Sequence, residues 1–230
     1  MYFNSPSAAA KRDEVRVGLP LPNTIEIADG TSSDTKRERK KEKDLRFICV
    51  GSLQPAKGQD RVLEFMENLL KKYDRTISLT FAGEGILMEQ LVRKAEKLKK
   101  KYPHFDCRFT GLVEHDKIGI LLSQSDIYIM LHRVSIFDMA TLEAMSKGLA
   151  VVLSDVGGNR DFDTDGGAVL LVKSGQGDSL DYNGAVNKLL STDLNMLKKQ
   201  CKELFLTKFT PENFRKNYHS LMDTIIKENK

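Results

Sequence analysis

Tryptophan is absent from this 230-residue chain, cysteine occurs only three times, and no apolar run approaches the roughly 18 residues that cross a bilayer. A helical membrane span is therefore not expected. Cys49, Cys107 and Cys201 are odd in number, far apart and set among apolar or helix-period neighbours, so they read as reduced core thiols rather than a disulfide framework. No CxxC or HxxxH pair occurs and the four histidines are scattered, which points away from a metal site. The opening residues carry no secretory-leader pattern, and the expected setting is cytoplasmic.

An excess of one charge is missing as well. The formal net charge is +4, but the run TKRERKKEKD at residues 35–44 holds six basic and three acidic residues and so supplies three of those four charges. The remainder is nearly balanced, and nucleic acid is not an expected partner. The run itself reads as a solvated linker; the rival reading is peripheral contact with an anionic membrane surface at the cytoplasmic face.

What is present is a globular composition, 40% hydrophobic and 30% charged. Residues 1–44 show no sustained period and contain SPSAAA, GLPLPN and ADGTSSD, so they are expected to be a loosely ordered linker. From residue 45 to 230 the pattern alternates. Strands are expected at 45–50, 76–82, 105–109, 127–131 and 168–172, with helices at 62–70, around Leu87 to Leu98, at 117–122, and finally at 180–190, 193–205 and 211–226. This alternation implies a doubly wound, mostly parallel, Rossmann-like α/β sheet with helices on both faces. Ligands bind such sheets at the carboxyl ends of the strands, so the loops to inspect are 51–58, 83–85, 131–138 and 154–159.

The densest signal is SIFDMATLEAMSKGLAVVLSDVGG at 135–158: a loop, an amphipathic helix, an apolar strand and a Gly-Gly turn. Glu143 falls one turn into the helix, where a carboxylate suits ribose hydroxyls. The backbone amides of Asp138, Met139, Ala140 and Thr141, together with the helix dipole, favour an anion such as a diphosphate.

Taken in order, these segments resemble the C-terminal, donor-binding half of retaining glycosyltransferases of the GT-B fold, in particular the family-4 group that uses nucleotide sugars. The resemblance rests on LPNTI at 21–25, VGSLQPAKG at 50–58, AGEG at 82–85, FTGLV at 109–113, SDIYIML at 125–131, LEAMSKGLAVVLSDVGG at 142–158 and FTPENF at 209–214. It implies that an N-terminal acceptor-binding domain is missing from this chain, which would then be a fragment. It also implies a site. Lys57 takes the position of a lysine that neutralises donor phosphates, and Ser52 that of an arginine, one cation fewer. Glu143 matches the second carboxylate of a pair seven residues apart, and Ser135 stands where the first, sugar-contacting one belongs.

Ile136 and Asp138 replace loop glycines. Asp138 is either a helix N-cap or a substitute for the missing carboxylate at the sugar. Phe137, Met139, Ala140 and Thr141 complete the donor loop. His132 and Arg133 follow a strand directly, and Arg133 or Arg160 is expected to supply the cation that Ser52 does not. Gly51, Gly83 and Gly85 read as turn glycines that let backbone approach ligand.

The function this implies is transfer of a sugar from a nucleotide-sugar donor to a saccharide or lipid-linked acceptor with retention, in polysaccharide or glycoconjugate biosynthesis. The donor is a substrate, and no cofactor or metal is implied. The alternative is a non-catalytic pseudo-glycosyltransferase subunit, with Ser52 and Ser135 recording lost chemistry. Another doubly wound nucleotide-binding enzyme is a further rival, although the lack of GxGxxG after the first strand argues against a dinucleotide.

Overall fold

The computed structural model describes residues 44–163, 167–175 and 179–228. The expected linker, with LPNTI inside it, lies outside the described residues except for Asp44.

Apolar runs bounded by polar turns form six strands: β1 Leu45–Val50, β2 Ile77–Ala82, β3 Phe105–Phe109, β4 Ile127–Met130, β5 Ala150–Ser154 and β6 Leu170–Val172. They pair in parallel in the order β3-β2-β1-β4-β5-β6, the doubly wound arrangement that the alternation implies. β4 and β5 are buried along their whole length, as central strands covered on both faces require. β2 and β3 alternate instead. Ile77, Leu79, Phe81, Phe105 and Cys107 point into the core, while Asp106 and Arg108 are exposed. β6 starts two residues later than the pattern implies, because its ladder with β5 opens at Leu170 opposite Val152.

Seven α-helices occur among the described residues: α1 Gln59–Leu70, α2 Met88–Lys101, α3 His115–Ser123, α4 Met139–Ser146, α5 Tyr182–Ser191, α6 Leu194–Leu204 and α7 Pro211–Glu228. In α2 the buried residues Leu91, Ala95 and Leu98 share one face, and Lys99, Lys100 and Lys101 close the last turn, where the helix dipole favours cations. α1 packs with α2 and α5, and α4 with α6, the cover that a doubly wound sheet requires. One apolar core results. It contains all three cysteines as free thiols, and burial pushes Cys107 up to about 12 and Cys49 higher still.

Two segments differ from the sequence pattern. The Gly-Gly turn is the start of a 3-10 helix, Gly157–Asp163. α6 passes into a π-helix, Phe205–Phe209, rather than ending at Phe205. Aromatic packing accounts for that extension: Phe205 is buried, and the Phe209 ring lies 5.3 Å from that of Phe162 and 6.4 Å from that of Phe137. α7 then begins as expected, with the Thr210 hydroxyl accepting from the Asn213 amide at 3.2 Å and Pro211 at the first helical position. No helix among the described residues is long and apolar enough to cross a membrane.

Candidate functional site

The direction of winding reverses between β1 and β4, which pair through Phe47 with Ile127 and Ile48 with Tyr128. β1 is flanked by β2 and β4 by β5, so the loops leaving β1 and β4 diverge and open a crevice at their carboxyl ends. The loop after β1 closes in a 3-10 turn, Pro55–Lys57, followed by Gly58 at φ +70°. A Cβ on Gly58 would stand 1.9 Å from the Leu131 carbonyl oxygen, so glycine alone lets this turn press against the end of β4. The Arg133 amide donates to the Ala56 carbonyl at 2.9 Å, and the Arg61 guanidinium to the His132 carbonyl at 3.1 Å. These bonds set Lys57 opposite His132 and Asp138.

Asp138 is only 5% exposed. Its Oδ2 accepts from the Tyr128 hydroxyl and from Thr141 Oγ1, both at 2.7 Å. Its Oδ1 faces Lys57 Nζ at 3.7 Å and His132 Nε2 at 3.8 Å, with 3.5 Å between Lys57 Nζ and His132 Nε2. Burial pushes the His132 imidazole down to about 4 against the opposing pull of the Asp138 carboxylate, so it is neutral near pH 7. The ion pair is therefore between Lys57 and Asp138.

This corrects both sequence readings of Asp138. The side chain caps no backbone amide of α4; the Thr141 amide bonds the Asp138 carbonyl instead, at 3.2 Å. Nor does the carboxylate project outward toward a sugar. A tyrosine hydroxyl inside the fully buried β4 needs an acceptor, and Asp138 turns inward to provide it.

Glu143 lies half-buried on α4. Its carboxylate makes no hydrogen bond or ion pair among the described residues. Burial raises its pKa, with His115 pulling the other way. Met139 and Ala140 are half-buried against the core and Thr141 is fully buried, so these residues offer the site backbone amides that Asp138 leaves without a side-chain cap. The donor loop is tied to the following segment: Gly158 donates to the Ser135 carbonyl at 3.0 Å, and Gly157, at φ +46°, sits where a Cβ would be 1.9 Å from the same oxygen. Phe137 stacks on Phe162 at 4.8 Å, while Ile136 is 64% exposed. Ser52 is exposed, its carbonyl accepting from Gln59 Nε2 at 2.9 Å. Gly83 and Gly85 abut the carbonyls of Gly51 and Leu53, which knits the loops after β1 and β2 together.

The expectation that Arg133 or Arg160 stands ready as a second cation is also corrected. Arg133 forms a two-pronged pair with Asp60, both contacts 2.8 Å, and Arg160 pairs with Asp155 at 2.6 Å. Burial raises the Asp60 carboxyl, but the Arg133 guanidinium outweighs it and the net shift is downward. Sequence reading missed Asp60 and Tyr128. For Tyr128 a signal was available: a tyrosine among the apolar residues of IYIM requires a polar partner, and Asp138 is the acidic residue ten positions on.

A family model for glycosyl transferases group 1 matches residues 31–204. Sulfoquinovosyl transferase SQD2 of Arabidopsis thaliana is 27% identical over 163 residues, covering 66% of this chain and 30% of its own length. An uncharacterized glycosyltransferase of Methanocaldococcus jannaschii is 25% identical over 205 residues, covering 86% of this chain and 51% of its own. This chain thus spans between about a third and a half of those relatives. Among solved structures, S. aureus TarM in complex with UDP superposes with a TM-score of 0.66 at 16% identity, over 90% of this chain and 37 to 39% of that class of longer chains, 39% in TarM itself. The fold is shared with one half of those enzymes, and the chain belongs to the glycosyl transferases group 1 family.

Proposed function

We propose that this chain is the donor-binding half of a retaining glycosyltransferase that moves a sugar from a nucleotide sugar to a saccharide or lipid-linked acceptor. The observation that carries the reading is Glu143. A half-buried carboxylate without a partner among the described residues, one turn inside a helix whose first amides have no side-chain cap, suits a ligand that brings ribose hydroxyls and a diphosphate together. UDP in the TarM complex supports the same ligand class.

In this reading Glu143 holds the ribose. Lys57 and the amides of Met139, Ala140 and Thr141 stabilise the charge that develops on the departing diphosphate. The acceptor comes from a facing domain, whose closure excludes water from the site. The protein works at the cytoplasmic side, and the basic run at 35–44 supports contact with an anionic membrane face.

Titration calorimetry of this chain with UDP, GDP and ADP tests the proposal. Weak but measurable heat with one of them is expected. No heat at millimolar concentration with any of the three refutes it.

One observation favours the non-catalytic alternative: Arg133 and Arg160 are committed to Asp60 and Asp155, and Lys57 faces a buried carboxylate. Donor binding by the complete protein without transfer or hydrolysis would select that alternative.

A further inference from the structure

The group that the proposed chemistry leaves unused is the buried carboxylate of Asp138. Its two oxygens differ. Oδ2 is satisfied by Tyr128 and Thr141 hydroxyls at 2.7 Å each, whereas Oδ1 has only Lys57 at 3.7 Å and His132 at 3.8 Å. A carboxylate this buried needs compensation for its charge. Two hydroxyls supply hydrogen bonds but no countercharge.

His132 does not provide the charge, being neutral, and its Nδ1 has no partner. An ammonium has only N–H donors, so the 3.5 Å approach of Lys57 Nζ to His132 Nε2 requires a bare Nε2 and places the imidazole proton on Nδ1. Lys57 is thus the one cation facing Oδ1, and its side chain keeps about a third of its surface exposed. It is held, but at a distance longer than a charge-assisted hydrogen bond, with an open side toward the crevice.

We propose that Asp138 is a positioning residue that parks the Lys57 ammonium in the empty site and yields it when a nucleoside diphosphate arrives. The proposal rests on the reading of Lys57 as the phosphate-binding cation. Asp138 then competes with the diphosphate for that cation. The clamp of Tyr128 and Thr141 keeps the carboxylate from following Lys57 out. Two features of the loop make the exchange feasible: Lys57 stands on a short turn fixed through backbone bonds rather than through its own side chain, and Asp138 does not bond the α4 amides that would receive the phosphates. A bare counterion role predicts a phosphate-selective effect, because a nucleoside does not call on Lys57.

The test is a double-mutant cycle read by calorimetry with UDP and with uridine as probes. In Asp138→Asn the side-chain oxygen still accepts from Tyr128 and Thr141, but the charge is gone. UDP is expected to bind about three- to tenfold tighter, on the scale of a partly screened ion pair, with uridine unchanged. In a Lys57→Ala background, Asp138→Asn is expected to change neither ligand. Tyr128→Phe, which keeps the charge and removes one supporting bond, is expected to lower thermal stability while leaving the ratio of UDP to uridine affinity as it was.

Unchanged or weaker UDP binding in Asp138→Asn, or a gain that survives removal of Lys57, overturns the parking role. Equal loss of UDP and uridine in both Asp138→Asn and Tyr128→Phe shows a scaffold residue and overturns it too. If Lys57→Ala alone leaves UDP affinity intact, the assignment of Lys57 fails, and that outcome is distinct from a Lys57 effect without coupling to Asp138.

Discussion

Gly58→Ala probes how the Lys57 turn is built, and its cost follows from two terms. An L side chain at φ +70° costs about 1 kcal/mol over glycine. The new Cβ also starts 1.9 Å from the Leu131 carbonyl oxygen, well inside the 3.4 Å at which ordinary contact begins, so the turn and the end of β4 must part by about 1.5 Å. A shift of that size breaks the Arg133 to Ala56 backbone bond and strains the Arg61 to His132 bond, each contributing about 1 kcal/mol. The expected loss is about 2–4 kcal/mol, or roughly 4–16 °C in the thermal midpoint of a chain this size. Lys57 moves with the turn, so UDP affinity should fall about tenfold more than uridine affinity. Thermal unfolding followed by circular dichroism gives the first quantity and calorimetry the second. A midpoint within about 1 °C of the parent, with UDP binding intact, would refute the close packing of this turn against β4.

Three further outcomes are expected. Glu143→Gln should weaken UDP and uridine alike, by about tenfold, since a charged acceptor of hydroxyl bonds is lost. The same variant should stabilise the free protein near pH 7, by less than about 1 kcal/mol after solvent screening. Burial raises the Glu143 pKa, so its ionised form disfavours folding, and the gain should vanish in melts taken below the ordinary glutamate range, where both side chains are neutral. Lys57→Ala should weaken UDP far more than uridine, and equal sensitivity would contradict its phosphate role. In acid, burial raises Asp60 and Asp126, but pairing with Arg133, Arg46 and Lys198 outweighs it and lowers both. Their stabilisation is therefore present above about pH 4 and lost as pH falls through the depressed values, and Arg133→Gln should flatten that loss in a pH series of urea melts.

Sequence alone determined the sheet and the edge at which to look. Apolar runs such as IYIM and AVVLS can be buried on both faces only as central parallel strands, and the alternation in β2 and β3 marks strands with one wet face. Local periodicity is a near-neighbour property, so it survives without knowledge of the fold. The loops after the strands, the start of α7 at Thr210 and the position of Glu143 on α4 are legible for the same reason.

Tertiary structure decided where the charges go. Asp138 could be an N-cap or a sugar ligand by its place in the chain, yet its carboxylate is turned by Tyr128, ten residues earlier, and by Lys57 across the switch point. Arg133 and Asp60 are 73 positions apart in sequence and meet only because β1 and β4 are neighbours in the sheet. Ion pairing in a partly desolvated crevice depends on which strands adjoin, and strand adjacency is a long-range property that no local spacing encodes.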